Sequence, residues 1–312
     1  MKLLSLRPSC LNEFVGNNNI KHNIKIYIKA SQINHDPLDH CLFYGLPGTG
    51  KTSMAFIIAN EQKTKIKIFQ GSNIQKNIDI YNIALNIKQN DVIFIDEIHA
   101  INKMCFELLY SLMEDFSFDI TIGKDFNSKT TRLSVPHFTL IGATTSLAKI
   151  PKPLEERFGI VQYFENYSTS DLAKIIKNAS QKINCQLNEQ EIYKIATNAK
   201  GIPRIALNIL SRVADFKLIN KKMSIKTIFN HIGIYTNGLN NNDIKYLNCF
   251  NDYSCRLGIK TISQMTNFEV EYIEQKIEPF LFKMKYIVKT PTGRKILPNG
   301  QKIICQLNKL KK

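Results

Sequence analysis

The chain alternates short apolar runs with amphipathic stretches in its first half, turns helical from about Ser168, and ends in a mixed pattern of helices and short extended runs. Cys41–Tyr44 is a buried-type strand that leads into a glycine-rich loop, and Lys51–Asn60 follows as a helix. Lys65–Phe69, Val92–Ile95 and His137–Gly142 read as three more strands. Strands alternating with helices predict an α/β unit around a parallel sheet. From about Ser168 the period becomes helical. Ser170–Lys182 starts at a serine cap with Asp171 in its first turn, where a carboxylate suits the helix dipole. Glu189–Ala199 and Pro203–Lys217 follow, separated by Lys200-Gly201-Ile202, and together they predict a small all-helical domain.

A third pattern starts near Asn240. Thr266 and Glu269 have capping-box spacing. The helix behind them sets Ile273, Ile277, Phe280 and Leu281 on one face. Tyr286–Lys289 and Lys295–Leu297 are extended runs flanking a turn, Thr290-Pro291-Thr292-Gly293-Arg294. Helix, helix, hairpin is the order of a winged helix. The expected domains are 1–167, 168–239 and 240–312.

Composition bounds this picture. At 312 residues, two or three domains can each bury a core. No apolar run approaches the roughly 18–20 residues that cross a bilayer. The start, Met1-Lys2-Leu3-Leu4-Ser5-Leu6-Arg7-Pro8, lacks an export signal. The seven cysteines are scattered without a CxxC pair, which suits reduced thiols in the cytosol and argues against zinc. A net charge of +16 favours a polyanionic partner such as nucleic acid. The richness in Lys, Asn and Ile, as AT-biased coding produces, is the other source of that charge.

Candidate chemistry begins with Gly45-Leu46-Pro47-Gly48-Thr49-Gly50-Lys51-Thr52. This fits G-x-x-x-x-G-K-(S/T) between a strand and a helix. Gly45, Gly48 and Gly50 let backbone N–H groups wrap a triphosphate, Lys51 reaches the outer phosphates, and Thr52 ligates Mg²⁺. Val92–Ile95 ends in Asp96 and Glu97, one placed to hold Mg²⁺ and the other to activate water. Standing alone, that pair reads as helix-capping acids. Thr144-Thr145 ends the next strand, and by itself it reads as a polar turn. Arg157, in Pro153-Leu154-Glu155-Glu156-Arg157-Phe158, is either an arginine finger reaching a neighbouring subunit or a surface cation paired with Glu155 or Glu156. Arg204, in Gly201-Ile202-Pro203-Arg204, opens a helix, where a cation is mildly unfavourable unless it has other work. Residues 281–312 hold nine Lys or Arg and no acid. Lys289 and Arg294 flank the hairpin tip as expected DNA contacts, whereas Lys309–Lys312 reads as a solvated tail.

Together these motifs resemble the RuvB family of AAA+ proteins along nearly the whole chain. Leu6-Arg7-Pro8 with Leu11–Gly16 is similar to the family's adenine-packing segment. Met113-Glu114-Asp115-Phe116 with Asp119–Gly123, continued by Thr131–Leu133 and Phe138–Leu140, is similar to its "MEDF…DI.IG" stretch. The resemblance implies that this region, about 119–138, is a hairpin on which RuvA docks. KTPTGR resembles the wing tip "RTPRGR". The resemblance makes Thr145 the sensor-1 residue and Arg204 the sensor-2 residue. It implies nucleotide contacts at Leu6, Arg7, Gly48, Lys51, Thr52, Ser53, Glu114, Asp115, Phe116, Arg157, Tyr167 and Arg204. It also implies hexameric rings that hydrolyse ATP on a RuvA-bound four-way junction and pull duplex DNA, with a RuvC-type resolvase as a further partner. The departures are Ser146 after the two threonines, Glu155 where a basic residue is common, and Lys289 and Thr292 where the family's wing carries arginines. Two other readings share these motifs: a clamp-loader or replication-initiator ATPase, and a DNA-binding regulator switched by nucleotide.

Overall fold

A computed structural model describes residues 6–122, 129–250 and 256–310. Met1–Ser5 and the sequence readings at Gly123, Cys255, Lys311 and Lys312 lie outside the described residues. The chain divides into two compact units, one within Met1–Gln186 and Gly201–Leu207, the other within Leu187–Lys200 and Asn208–Lys312.

The first unit is built on a five-stranded parallel sheet. Its strands are β1 (Cys41–Gly45), β2 (Ile66–Gln70), β3 (Val92–Asp96), β6 (Thr139–Thr144) and β7 (Ile160–Phe164), in the order β2-β3-β6-β1-β7. The apolar runs of the inner strands reflect burial on both faces. In β3, Ile93 and Ile95 join one apolar core while Val92 and Phe94 join the other. Leu42 and Phe43 of β1 divide in the same way, as do Leu140 and Ile141 of β6. The first core is completed by α3 (Asn77–Ala84) and α4 (Phe106–Glu114), the second by α1 (Asn18–Asn34) and α2 (Lys51–Glu61). An antiparallel hairpin, β4 (Ser117–Ile122) with β5 (Lys129–Ser134), stands outside the main sheet. The short α5 (Lys152–Glu155) precedes β7, and α6 (Thr169–Lys182) closes the unit. The cap of α6 is Ser168, whose hydroxyl accepts from Asp171 N at 3.1 Å, so the helix opens before Ser170. The expected His137–Gly142 strand starts two residues later and runs to Thr144.

The second unit holds α7 (Glu189–Thr197), most of α8 (Pro203–Ile219), α9 (Ile225–His231), α10 (Asn241–Leu247), α11 (Ile259–Thr266) and α12 (Val270–Tyr272). A single π turn, Ile273–Ile277, leads from α12 into α13 (Glu278–Lys283), and the hairpin β8 (Ile287–Thr290) with β9 (Gly293–Ile296) and then α14 (Pro298–Leu310) complete it. Ile273, Ile277 and Leu281 are buried with Tyr246, Phe250, Ile262, Ile287 and Ile296 in one core. The capping-box expectation at Thr266 is corrected. Thr266 ends α11, its hydroxyl donates back to Ile262 O at 2.7 Å, and Asn267 turns left-handed behind it. The side chain satisfies the preceding helix and is not available to the next, which starts at Val270 with Glu269 as its N-cap. The expected five-residue tip is also tighter: Thr290 pairs with Gly293, leaving Pro291 and Thr292 as the turn.

Candidate functional site

The loop between β1 and α2 is held open by glycine. Gly45, Gly48 and Gly50 have φ of 143°, 82° and 108°, a region that L side chains rarely adopt. At Gly48 a Cβ would also lie 2.6 Å from Arg204 Cβ. That close approach, with Arg204 N donating to Gly48 O at 3.3 Å, brings the sensor-2 candidate onto the loop. Tyr167 secures the other side. Its hydroxyl donates to Thr49 O at 3.0 Å, and burial pushes its pKa up to about 12. Lys51 is buried in the first turn of α2, where Nζ donates to Gly45 O at 2.8 Å and Leu46 O at 3.0 Å. Burial lowers its pKa, and Glu97 and Asp96, within electrostatic reach, pull it back up. Thr52 and Ser53 follow half-buried on α2.

Asp96 and Glu97 end β3, and Thr144 and Thr145 stand at the end of β6, the strand between β3 and β1. Glu97 adopts φ 49°, and Gly71 permits it, since a Cβ there would meet Glu97 O at 2.3 Å. Its Oε2 accepts from Thr145 N at 3.1 Å and Thr145 Oγ1 at 3.0 Å. His99 Nδ1 lies 3.3 Å from the same carboxylate and 2.8 Å from Thr144 Oγ1. His99 has no role among the expected site residues; its position three residues beyond Asp96 was the available signal. Arg7 stacks over Phe56 at 5.3 Å and feels both Arg204 and Asp96, so its guanidinium belongs to the charged end of the site. Burial and Arg204 lower its pKa. Leu6 precedes it, half-buried.

The remaining candidates form a second group. Arg157, just after α5, extends Nη2 to Glu114 Oε2 at 2.8 Å, Nη1 to Pro153 O at 2.8 Å, and lies 4.6 Å over the Tyr110 ring. The partner is thus Glu114, not the adjacent Glu155 or Glu156, and Tyr110 gave no sequence signal. Asp115 pairs with Arg132 of β5 at 2.6 Å. Phe116 turns at φ 48° and stacks on His137 at 4.2 Å. The structure therefore splits the expected site: Arg7, Lys51, Asp96, Glu97, Thr145, Tyr167 and Arg204 gather at the loop, while Glu114, Asp115, Phe116 and Arg157 gather beside the hairpin.

The loop group suits a magnesium–triphosphate. A Cβ at Gly48 would strike Arg204, so glycine is what lets this cation come so close to the loop. Among the described residues no three of His, Cys, Asp and Glu cluster as a metal site. Asp96 and the Thr52 hydroxyl offer oxygen donors, the type a hard cation takes.

At the wing, Lys289 is exposed and stands opposite Arg294 in the β8–β9 register. Arg294, expected at the DNA contact, has its side chain turned inward in this structure. This arginine is 5% exposed, with Nε to Glu278 Oε1 at 2.8 Å and Nη2 to Glu278 Oε2 at 3.1 Å and Glu274 Oε1 at 3.0 Å. Glu278 is 2% exposed and also accepts from Tyr246 Oη at 2.8 Å. A bidentate buried pair of this kind fixes the guanidinium in the core of the unit.

Three family models match successive segments: the Holliday junction DNA helicase RuvB P-loop domain over residues 6–164, the RuvB AAA lid domain over 167–235, and the RuvB C-terminal winged helix domain over 236–305. The chain is 51% identical over 295 residues to the Holliday junction branch migration complex subunit RuvB of Ureaplasma urealyticum, covering 94% of each chain. To the protein of the same name from Mycoplasma genitalium it is 44% identical over 304 residues, covering 97% of this chain and 99% of that one. The solved Thermotoga maritima RuvB Holliday junction branch migration motor superimposes with a TM-score of 0.83 at 31% identity, covering 96% of this chain and 98% of that one. With all three segments matched in order and relatives this close along the whole length, the chain belongs to the RuvB family.

Proposed function

We propose that this chain is the ATP-hydrolysing motor of a Holliday junction branch-migration complex, working as a homo-hexameric ring whose neighbours share each catalytic site. The observation behind this reading is the split just described. Lys51, Asp96, Glu97 and Arg204 form a phosphate site that lacks Arg157, and Arg157 is held out beside β4 by Glu114 and Tyr110. An arginine finger supplied by the next subunit completes such a site and makes turnover depend on the ring.

The residues divide the work as follows. The loop glycines and Lys51 bind the triphosphate. Glu97, fixed by two bonds from Thr145, orients and deprotonates the attacking water. Arg204, whose backbone N–H bonds to the loop at Gly48, ties the lid to the phosphates and so couples hydrolysis to movement of the parts behind it. Asp96 and Thr52 would hold Mg²⁺, which would supply charge neutralisation at the phosphates. The domains are assigned as 1–167 for the ATPase, 168–239 for the lid and 240–312 for the winged helix that grips the duplex. The β4–β5 hairpin is the surface assigned to RuvA, a RuvC-type resolvase is a further partner, and the cytoplasm is the assigned location; no helix among the described residues is long and apolar enough to cross a membrane.

The test is complementation. Arg157→Ala should bind ATP normally and lose turnover by about 10³-fold or more. Mixing it with Glu97→Gln subunits, themselves inactive, should restore part of the turnover, because some interfaces then carry an intact finger and an intact base. No recovery, or an Arg157→Ala protein that hydrolyses ATP normally, would reject the shared site. Movement of a synthetic four-way junction by the wild-type protein with RuvA separates a motor from a nucleotide switch.

A further inference from the structure

The wing raises a question that the family resemblance leaves open: which cations meet DNA when Arg294 is buried. A third segment lies against this hairpin. Leu257 pairs with Arg294 across the free edge of β9, with Leu257 N to Arg294 O at 3.0 Å and Arg294 N to Leu257 O at 2.8 Å. Gly293 makes the approach possible, since a Cβ there would lie 2.6 Å from Leu257 O. The preceding residue, Arg256, is exposed, and its Nη1 donates to Thr292 Oγ1 at 3.1 Å. A guanidinium is thereby anchored at the turn of the wing, on an element other than the hairpin itself.

We infer that Arg256 is the arginine that this wing presents to the DNA backbone, acting with the exposed Lys289 and Lys295. The inference rests on the reading of the winged helix as the duplex-gripping domain and deepens it. Three physical points support it. An arginine has five N–H donors, and the bond from Nη1 uses one of them. The planar fork suits a phosphate, and a guanidinium already oriented by a hydroxyl loses less freedom on binding than a free lysine. Its position also restores a cation beside Thr292, the turn residue at which the resemblance shows an arginine and this chain has none. Arg294 then has a different task. It clamps the hairpin to α13 through Glu278 and so sets the plane in which Arg256, Lys289 and Lys295 stand.

The experiment is duplex binding by the full-length protein, read by fluorescence anisotropy across a salt titration, for wild type, Arg256→Ala, Arg256→Lys, Lys289→Ala and the triple Arg256→Ala/Lys289→Ala/Lys295→Ala. Each phosphate contact contributes about 0.9 to the slope of log K against log salt. Arg256→Ala should weaken binding to all sequences alike and reduce the slope by about one. Arg256→Lys should retain the slope with weaker affinity. DNA-independent ATPase should be unchanged in both. Should Lys289→Ala lose slope while Arg256→Ala keeps wild-type slope and affinity, the role of Arg256 is overturned and the wing reading survives. Should the triple variant also bind like wild type, the wing reading goes with it. A loss of affinity in Arg256→Ala at unchanged slope would mean that the residue only props the turn, which also overturns the inference.

Discussion

The phosphate loop and the wing were read from equally compact sequence signals, yet the structure treats them differently. At the loop, the residues expected to act lie together: Gly48 against Arg204, and Lys51 within electrostatic reach of Asp96 and Glu97. At the wing, Arg294 is drawn inward by carboxylates 16 and 20 residues earlier in the chain. The difference is one of mechanism. A phosphate loop works through backbone conformation, which glycines at fixed spacing dictate locally. A wing cation works through a side chain that either solvent or a carboxylate can claim, and the claimant is set by tertiary packing.

The comparison predicts its largest effect at the loop. Lys51→Ala removes the one cation of α2, the residue proposed to bind the triphosphate, and ATP turnover should fall beyond about 10³-fold. Filter binding and steady-state ATPase check this. Turnover within tenfold of wild type would break the assignment of the loop itself.

The matching substitution at the wing should act on stability instead. Glu278→Ala leaves Arg294 buried without its main partner, and one-sided loss of a buried pair costs about 3–5 kcal/mol. Urea unfolding should show the second unit destabilised by that order. Exchanging both partners, Glu278→Leu with Arg294→Met, should recover part of the loss. If Glu278→Ala unfolds like wild type while binding less DNA, Arg294 is a surface cation after all and the contrast between the two regions fails.

Much of the fold was legible because its signals were local. The strand–loop–helix of the phosphate site, the three lid helices and the apolar stripe of Ile273, Ile277 and Leu281 each depend on a period within a short window. What escaped depended on partners distant in sequence. α1 buries Ile20, Ile24 and Ile28, but it starts from a left-handed Asn17 without a side-chain cap, so no start signal marks it. The pairing of Glu114 with Arg157 spans 43 positions and replaces the nearer carboxylates that sequence favoured. Thr266 carried a valid N-cap pattern, and the preceding helix took its hydroxyl. In each case a local rule competed with a tertiary contact and lost.

A pH measurement sharpens the comparison by probing the frame beneath the loop. His40 sits buried just before β1. Nδ1 accepts from Leu140 N at 2.9 Å, which leaves Nε2–H to donate to Met113 O at 3.0 Å. That arrangement requires the neutral ring, and burial pushes the pKa down to about 4 from an ordinary 6.5. The unfolded chain therefore takes up the proton first as pH falls. Stability is fully present above about pH 6.5 and is lost progressively toward pH 4, by about 3 kcal/mol at the lower end. His40→Gln should flatten this dependence in the first unit. Unchanged acid sensitivity in the variant would place the titration elsewhere.

The smallest effect concerns the one point at which the nucleotide region resembles the wing. Thr145 acts by side chain, and its hydroxyl donates to Glu97 Oε2 across 48 residues of sequence. If the loop region were written wholly in backbone, this hydroxyl would be dispensable. Thr145→Val removes the Oγ1 bond and leaves the backbone N–H bond to the same oxygen at 3.1 Å. Glu97 keeps only the backbone donor from Thr145, and its carboxylate can then swing off the line on which the proposed mechanism has it meet the water. A partly misaligned general base forfeits only part of the roughly 10²–10⁴-fold that such a group contributes. The expected result is therefore a fall in kcat of about tenfold with KM for ATP nearly unchanged, since the phosphate contacts stay intact. A rise in KM at constant kcat would place Thr145 on the nucleotide and not on Glu97. Wild-type kinetics would mean that the backbone bond suffices, and the contrast between loop and wing would then be sharper than the structure alone suggests.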